Sequence, residues 1–208
     1  MRRVLGGLFL SVFAFSLAYA AEAPSPGRSD VGDYERLLLM PRAERRGDAD
    51  DASVSWRETA LGHVVAWQEF IDRYPESIFV PAAYIRMAEW YLTIKTTDGS
   101  PKWYENEHKE DPDAIKNKPE LLDPVYAREA HKLLTKVIRE YKDYPHYSHV
   151  GNGEFEWNDK AVAVALYNRA MFFRGSCKSD LARLVKEFPG LPSTQSALRD
   201  LGNSKSCK

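Results

Sequence analysis

The stretch Asp123-Pro124-Val125-Tyr126-Ala127-Arg128-Glu129-Ala130-His131-Lys132-Leu133-Leu134-Thr135-Lys136-Val137-Ile138-Arg139-Glu140-Tyr141 decides the fold class. Tyr126, Ala127, Ala130, Leu133, Leu134, Val137, Ile138 and Tyr141 recur three and four residues apart. That spacing gathers side chains on one face of an α-helix. Asp123 offers an N-cap acceptor, and Pro124 fits a first turn whose N–H groups have no intrahelical partner.

The same period extends to both sides. Leu61, Val64, Val65, Gln68, Ile71 and Tyr74 predict one helix, and Tyr84, Ile85, Ala88, Tyr91 and Leu92 predict the next, with Pro81 in its first turn. Asn158 is the expected cap of a helix from Asp159 to about Phe173, whose Ala-Val run suits burial on most sides, and Gly175 is its expected stop. Leu181, Leu184, Val185 and Phe188 mark a fifth helix. Ser193 is the expected cap of a short sixth through Ala197, Leu198 and Leu201 to Gly202. No segment shows a sustained alternation of period two, so the expectation is an all-α chain of about six helices.

Three of these helices end alike. Phe70-Ile71-Asp72-Arg73-Tyr74-Pro75, Val137-Ile138-Arg139-Glu140-Tyr141 with Tyr144-Pro145, and Leu184-Val185-Lys186-Glu187-Phe188-Pro189 each place an aromatic before a helix-stopping proline. Nine residues after Pro75 stands Tyr84-x-x-Met87-Ala88-x-x-Tyr91, and nine after Pro189 stands Leu198-x-x-Leu201-Gly202. The small residue at the fifth place lets a neighbouring helix approach closely. This pattern resembles the tetratricopeptide repeat, in which such a helix pairs with one closed by an aromatic and a proline. The Tyr74-Pro75-x-Ser77 form is most similar to repeats of bacterial envelope proteins, namely the outer-membrane β-barrel assembly lipoprotein and the Tol-Pal coordinator. The resemblance covers about 55–95 and 124–202. It implies a right-handed stack of antiparallel helix pairs, an α-solenoid that binds other proteins. Pro75 and Pro145 lie 70 residues apart, twice the repeat length of about 34, which leaves an insertion at about 96–122.

The first residues carry an export signature. Arg2 and Arg3 precede an apolar run from Val4 to Leu17, and Ala18-Tyr19-Ala20 ends it. The expectation is a signal peptide cleaved after Ala20 and a periplasmic chain; a retained membrane anchor is disfavoured by Gly6, Gly7, Ser11 and Ser16. Residues 21–53, rich in Pro, Gly, Ser, Asp and Arg, read as a flexible arm with one apolar knot at Leu37-Leu38-Leu39-Met40. The folded domain is then 54–208. Removing residues 1–20 takes away Arg2 and Arg3, leaving 27 basic residues against 30 acidic ones, a net of −3. That balance gives nucleic acid and acidic lipid no electrostatic reason to bind.

Export also places Cys177 and Cys207 where thiols tend to pair. A structural disulfide is expected, with two unpaired thiols as the alternative. The spacing fits no redox, haem or zinc motif. Neither G-x-S-x-G, a P-loop nor a dinucleotide fingerprint occurs. Glu105, Glu107, Glu110, Asp111 and Asp113 read as a solvated charged loop. His146, His149, Glu154, Glu156 and Asp159 match no standard metal spacing. Trp67, Trp90 and Trp157 read as core. No catalytic residue, cofactor or metal is expected, and the reading is a non-enzymatic scaffold or assembly factor with envelope-protein partners. The alternative is an accessory protein of peptidoglycan binding or processing. Trp103, Tyr104 and Tyr147 are the candidate partner contacts, although Trp103 and Tyr104 fit equally well folded back onto the stack.

Overall fold

The stretch at 123–141 forms a helix because its pattern and its cap agree. Asp123 is the N-cap and accepts a hydrogen bond from Val125 N, Pro124 lies in the first turn, and Ala130, Leu134 and Val137 are buried. The computed structural model describes residues 29–40, 56–95, 122–151, 154–201 and 207. Among these, the element order is α1 (Ser29–Leu38), α2 (Trp56–Arg73), α3 (Val80–Tyr91), α4 (Pro124–Glu140), β1 (Pro145–Gly151), β2 (Glu154–Lys160), α5 (Ala161–Phe172), α6 (Arg174–Glu187) and α7 (Pro192–Leu201). The chain is mostly helical, with each helix from α2 onward packed on the next. No helix among the described residues is long and apolar enough to cross a membrane.

Three hydrophobic clusters follow one another along the chain. The first joins Tyr34 of α1 to Val64, Trp67, Phe70 and Ile71 of α2 and to Val80, Ala82, Ala83 and Met87 of α3. The second uses the other face of α3, Ile85 and Ala88, against Ala130, Leu134 and Val137 of α4 and Ala161 and Ala165 of α5. The third sets Val162, Ala163 and Leu166 of α5 against Leu184 and Phe188, with Ala197 of α7. Ala88, Ala130, Ala161 and Ala197 are fully covered, so the small side chains sit where backbones come close. Helix α5 is buried on most sides, as its Ala-Val run predicts.

Polar ties add to the apolar packing. Arg169 of α5 holds Asp180 of α6 with two hydrogen bonds, Nε to Oδ2 at 2.7 Å and Nη2 to Oδ1 at 2.6 Å, and its Nη1 donates to Thr135 Oγ1 of α4 at 3.1 Å. Cys177 and Cys207 form a disulfide with a sequence separation of 30, packed with Ala170 and Leu201. The expected pairing is therefore the one present.

Five expectations need correction. The chain is not all-α: β1 and β2 pair antiparallel, with Tyr147 opposite Trp157 and His146 opposite Asp159. Irregular register between His146 and Tyr147 breaks the alternation that would have announced a strand. Asn158 belongs to β2, so α5 starts at Ala161 without a side-chain cap. Gly175 lies inside α6, and Phe173 alone separates α5 from α6. Ser193 does not cap α7; its N–H and hydroxyl both donate to Asp159 Oδ2 of β2, so a carboxylate from the hairpin satisfies that helix N-terminus. Finally, 29–38 is not a loose arm but a helix that docks on α2.

Candidate functional site

Helix α1, the β1–β2 hairpin and the α2–α3 pair meet around Tyr34. Its ring is fully buried, stacked on Phe79 at 4.5 Å and edge-on to Trp67 at 5.3 Å and Phe70 at 5.8 Å. Tyr147 and Trp157 close the socket from the hairpin, 4.6 Å from each other and 5.6 and 5.5 Å from Phe79. Aromatic pairs in these offset and edge geometries add to plain area burial. The Tyr34 hydroxyl donates to the Tyr147 carbonyl at 3.0 Å, so the buried O–H is satisfied. Burial raises the Tyr34 pKa further above its ordinary value.

Carboxylates ring this socket. Ser77 Oγ donates to Asp30 at 2.9 Å, Tyr74 Oη to Asp33 at 2.7 Å, Arg73 Nη1 to Asp33 at 3.2 Å, and Tyr147 Oη to Glu35 at 2.8 Å. All three acceptors belong to α1 and all four donors to the body. The hydrogen bond from Tyr74, helped by Arg36 and Arg73, lowers the Asp33 pKa. Burial and then the Glu35 carboxylate push the Tyr147 phenol up to about 12. Both shifts favour the protonation states that the hydrogen bonds need at neutral pH.

Next to the socket lies an ionic recess. Arg86 Nη1 and Glu89 Oε2 pair at 2.7 Å one turn apart on α3, and Asn168 Nδ2 of α5 donates to Glu89 Oε1 at 3.0 Å. Their side chains keep 25% and 34% of their surface accessible while burial weighs heavily on both. The pair is thus partly exposed while α5 and the hairpin pack against it. Burial is the largest single influence and would raise the Glu89 pKa, but the Arg86 charge together with the hydrogen bonds from Arg86 and Asn168 outweighs it and the net shift is downward. Glu89 in turn raises that of Arg86. His146 of β1, 4% exposed, is pushed down to about 4 by burial and then by the Arg86 charge. Arg86 Nε and His146 Nδ1 are buried without a hydrogen-bond partner among the described residues. Neither His146 nor Glu89 titrates near neutrality, so the recess holds a fixed ion pair and a neutral imidazole.

Of the candidate contacts, Tyr147 is half-buried in this socket, whereas Trp103 and Tyr104 lie outside the described residues. Trp67 is core; Trp90 stacks on His63 at 3.8 Å. No group of three or more His, Cys, Asp or Glu suited to a metal occurs among the described residues; His146 is in the recess and Asp159 is engaged with α7. Tyr34, Arg86, Glu89 and Asn168 were not anticipated. The available signal for Tyr34 was its spacing to Leu37 and Leu38, three and four residues on.

Comparison with known proteins gives no match: no family model, no curated protein and no solved structure matches the chain.

Proposed function

We propose that this chain is a non-enzymatic protein-binding scaffold of the bacterial cell envelope, exported to the periplasm through residues 1–20 and built as a right-handed tetratricopeptide-like stack. The observation that carries the reading is the order of contacts. Each helix from α2 onward packs on its successor, and α3 packs on α5 and α5 on α7. Contact with the next helix and the next but one is what a stack of helix pairs requires, because each pair buries its face only on its neighbours. The disulfide agrees with an oxidising compartment.

A stack of this kind presents long side surfaces. Along α3 and α4, Tyr91 stacks on Tyr126 at 5.7 Å, Tyr84 lies 6.1 Å from Tyr141, and Lys136 Nζ sits 4.4 Å over the Tyr84 ring. Half-exposed tyrosines beside cations are residue types that anchor interfaces. Trp103 and Tyr104 are proposed as further contacts from the insertion. Crosslinking in cells followed by mass spectrometry tests the proposal: recovery of a defined envelope protein supports it. Co-sedimentation of purified protein with sacculi, or release of muropeptides, favours the peptidoglycan alternative and counts against it. N-terminal sequencing should read Ala21 first.

A further inference from the structure

Helix α1 is joined to its surroundings in the manner of a bound ligand. Only Tyr34 from α1 belongs to the fully buried part of the first cluster; the other members come from α2, α3 and the turn between them. Around that single ring, Val31, Leu37 and Leu38 are partly buried, and Asp30, Asp33 and Glu35 each accept a hydrogen bond from the body. One deeply buried aromatic anchor, with one buried polar tie at Asp30–Ser77 and partly exposed ones at Asp33 and Glu35 around it, is the anatomy of an interface more than of a domain core. Among helices, α1 packs chiefly on α2, and residues 41–55 separate the two in sequence.

We propose that the groove between α2 and the β1–β2 hairpin is a helix-docking site for a partner, and that α1 occupies it in cis as a tethered stand-in. The occupant's chemistry is written in α1. It is an amphipathic helix with a tyrosine, carboxylates four and one residues before it and one after it, and leucines three and four residues beyond. The groove matches each part: Trp67, Phe70 and Phe79 receive the ring, Ser77 and Tyr74 with Arg73 meet the leading carboxylates, and Tyr147 meets the trailing one. Recognition of a helix through anchors at such spacing is an established mode of peptide binding. A partner carrying this pattern competes with α1, so its apparent affinity is set by how often α1 leaves.

The inference deepens the scaffold reading by naming the partner's chemistry, but its test needs no cell and no envelope. A fluorescent peptide of residues 29–40 is titrated into the full chain and into the full-chain Tyr34→Ala variant, with anisotropy as readout and circular dichroism as the check on folding. The variant is expected to bind the peptide at least about tenfold more tightly than the unaltered chain, whose groove is filled. A peptide lacking the tyrosine should bind neither. Equal binding to both chains, or none to a folded variant, overturns the proposal.

If Tyr34→Ala unfolds, a protease site placed within 41–55 turns α1 of the otherwise unaltered chain into a non-covalent fragment. Exchange of that fragment for labelled peptide, with the body still helical, is the supporting result. A body that unfolds once the fragment is diluted away, or a dimer formed by trading α1 between copies, overturns it. Failure of either test leaves the scaffold reading to the crosslinking experiment.

Discussion

Replacing Asp180 with Ala should be the most damaging single polar substitution in the C-terminal half. Arg169 and Asp180 keep only 14% and 1% of their side-chain surface exposed, and the carboxylate takes two hydrogen bonds from the guanidinium. Removing it leaves Nε and Nη2 without acceptors and a charge in a low-dielectric site, with only Thr135 still accepting from Nη1. Each unsatisfied buried donor costs about 1–3 kcal/mol, and breaking a buried pair by removing one partner costs about 3–5 kcal/mol overall. The charge dominates, so the double variant Arg169→Met with Asp180→Leu should recover most of the loss, because no ion then needs solvating. Urea unfolding followed by circular dichroism measures both. A change below about 1 kcal/mol for the single variant at unchanged slope, or a double variant as unstable as the single one, refutes the reasoning. The pair Arg183–Glu187, with about a third of each side chain exposed, is the internal control, and its disruption should leave the unfolding midpoint where it was.

Three other outcomes are expected. Reducing the Cys177–Cys207 bond removes a constraint over a separation of 30 residues, worth about 3–4 kcal/mol in the chain-entropy model; thermal melts with and without reductant should differ by several degrees, with the reduced protein melting lower, and thiol labelling of the denatured unreduced protein should modify neither cysteine. His146 is held neutral in the folded chain, its pKa lowered to about 4 from an ordinary 6.5. The unfolded chain therefore takes up the proton first, so this contribution is complete above about pH 6.5 and is lost as pH falls towards 4, by up to about 3 kcal/mol; His146→Gln should flatten stability across that window. Replacing residues 97–120 by a short Gly-Ser linker should change the melting temperature by only a few degrees. The ends of the insertion are already joined, by a bridge between Lys95 and Leu122, by Asp123 N to Ile94 O at 3.1 Å, and by Arg57 reaching both Lys95 O and Asp123. Loop-closure entropy varies only slowly with length. A large fall in the melting temperature would mean that the segment belongs to the core.

The helices were legible because their signals are local. Asp123-Pro124 and Pro81 announce helix starts that need no distant partner, and the three-and-four spacing in α2, α3 and α4 survives any arrangement of neighbours. The hairpin was not legible for the opposite reason. Glu154-Phe155-Glu156-Trp157 alternates for four residues only, after which the irregular pairing shifts the period. The Asn152-Gly153 pair between the strands was the remaining hint, since that dipeptide favours a tight hairpin turn. Asn158 and Ser193 failed as caps because a cap inferred from sequence assumes a helix that starts beside it. Here the acceptor for the last helix comes from Asp159, 34 residues earlier in the chain.

The site was hidden by the same non-local logic, and this bears on how the molecule works. Tyr34 sits in a segment whose composition argues for a loose arm, and composition weighs every residue equally. Docking does not. One ring held in an aromatic socket, with carboxylates placed to meet Ser77, Tyr74 and Tyr147, ties down ten residues that cannot bury a face on one another. Arg86, Glu89 and Asn168 escaped notice for a related reason: on a helix surface a charged pair one turn apart is the ordinary solvated arrangement, and only α5 and the hairpin, folding over α3, make this one a recess. The candidate site is thus made of an N-terminal segment and a hairpin laid against the α2–α3 pair. A segment added in this way carries few of the contacts that hold the body together, and local opening is drawn from such weakly tied elements. Hydrogen exchange in the α1 amides should accordingly be faster than in α3 and α5, and protection in α1 equal to that of α5 would show that the helix belongs to the core instead of resting on it.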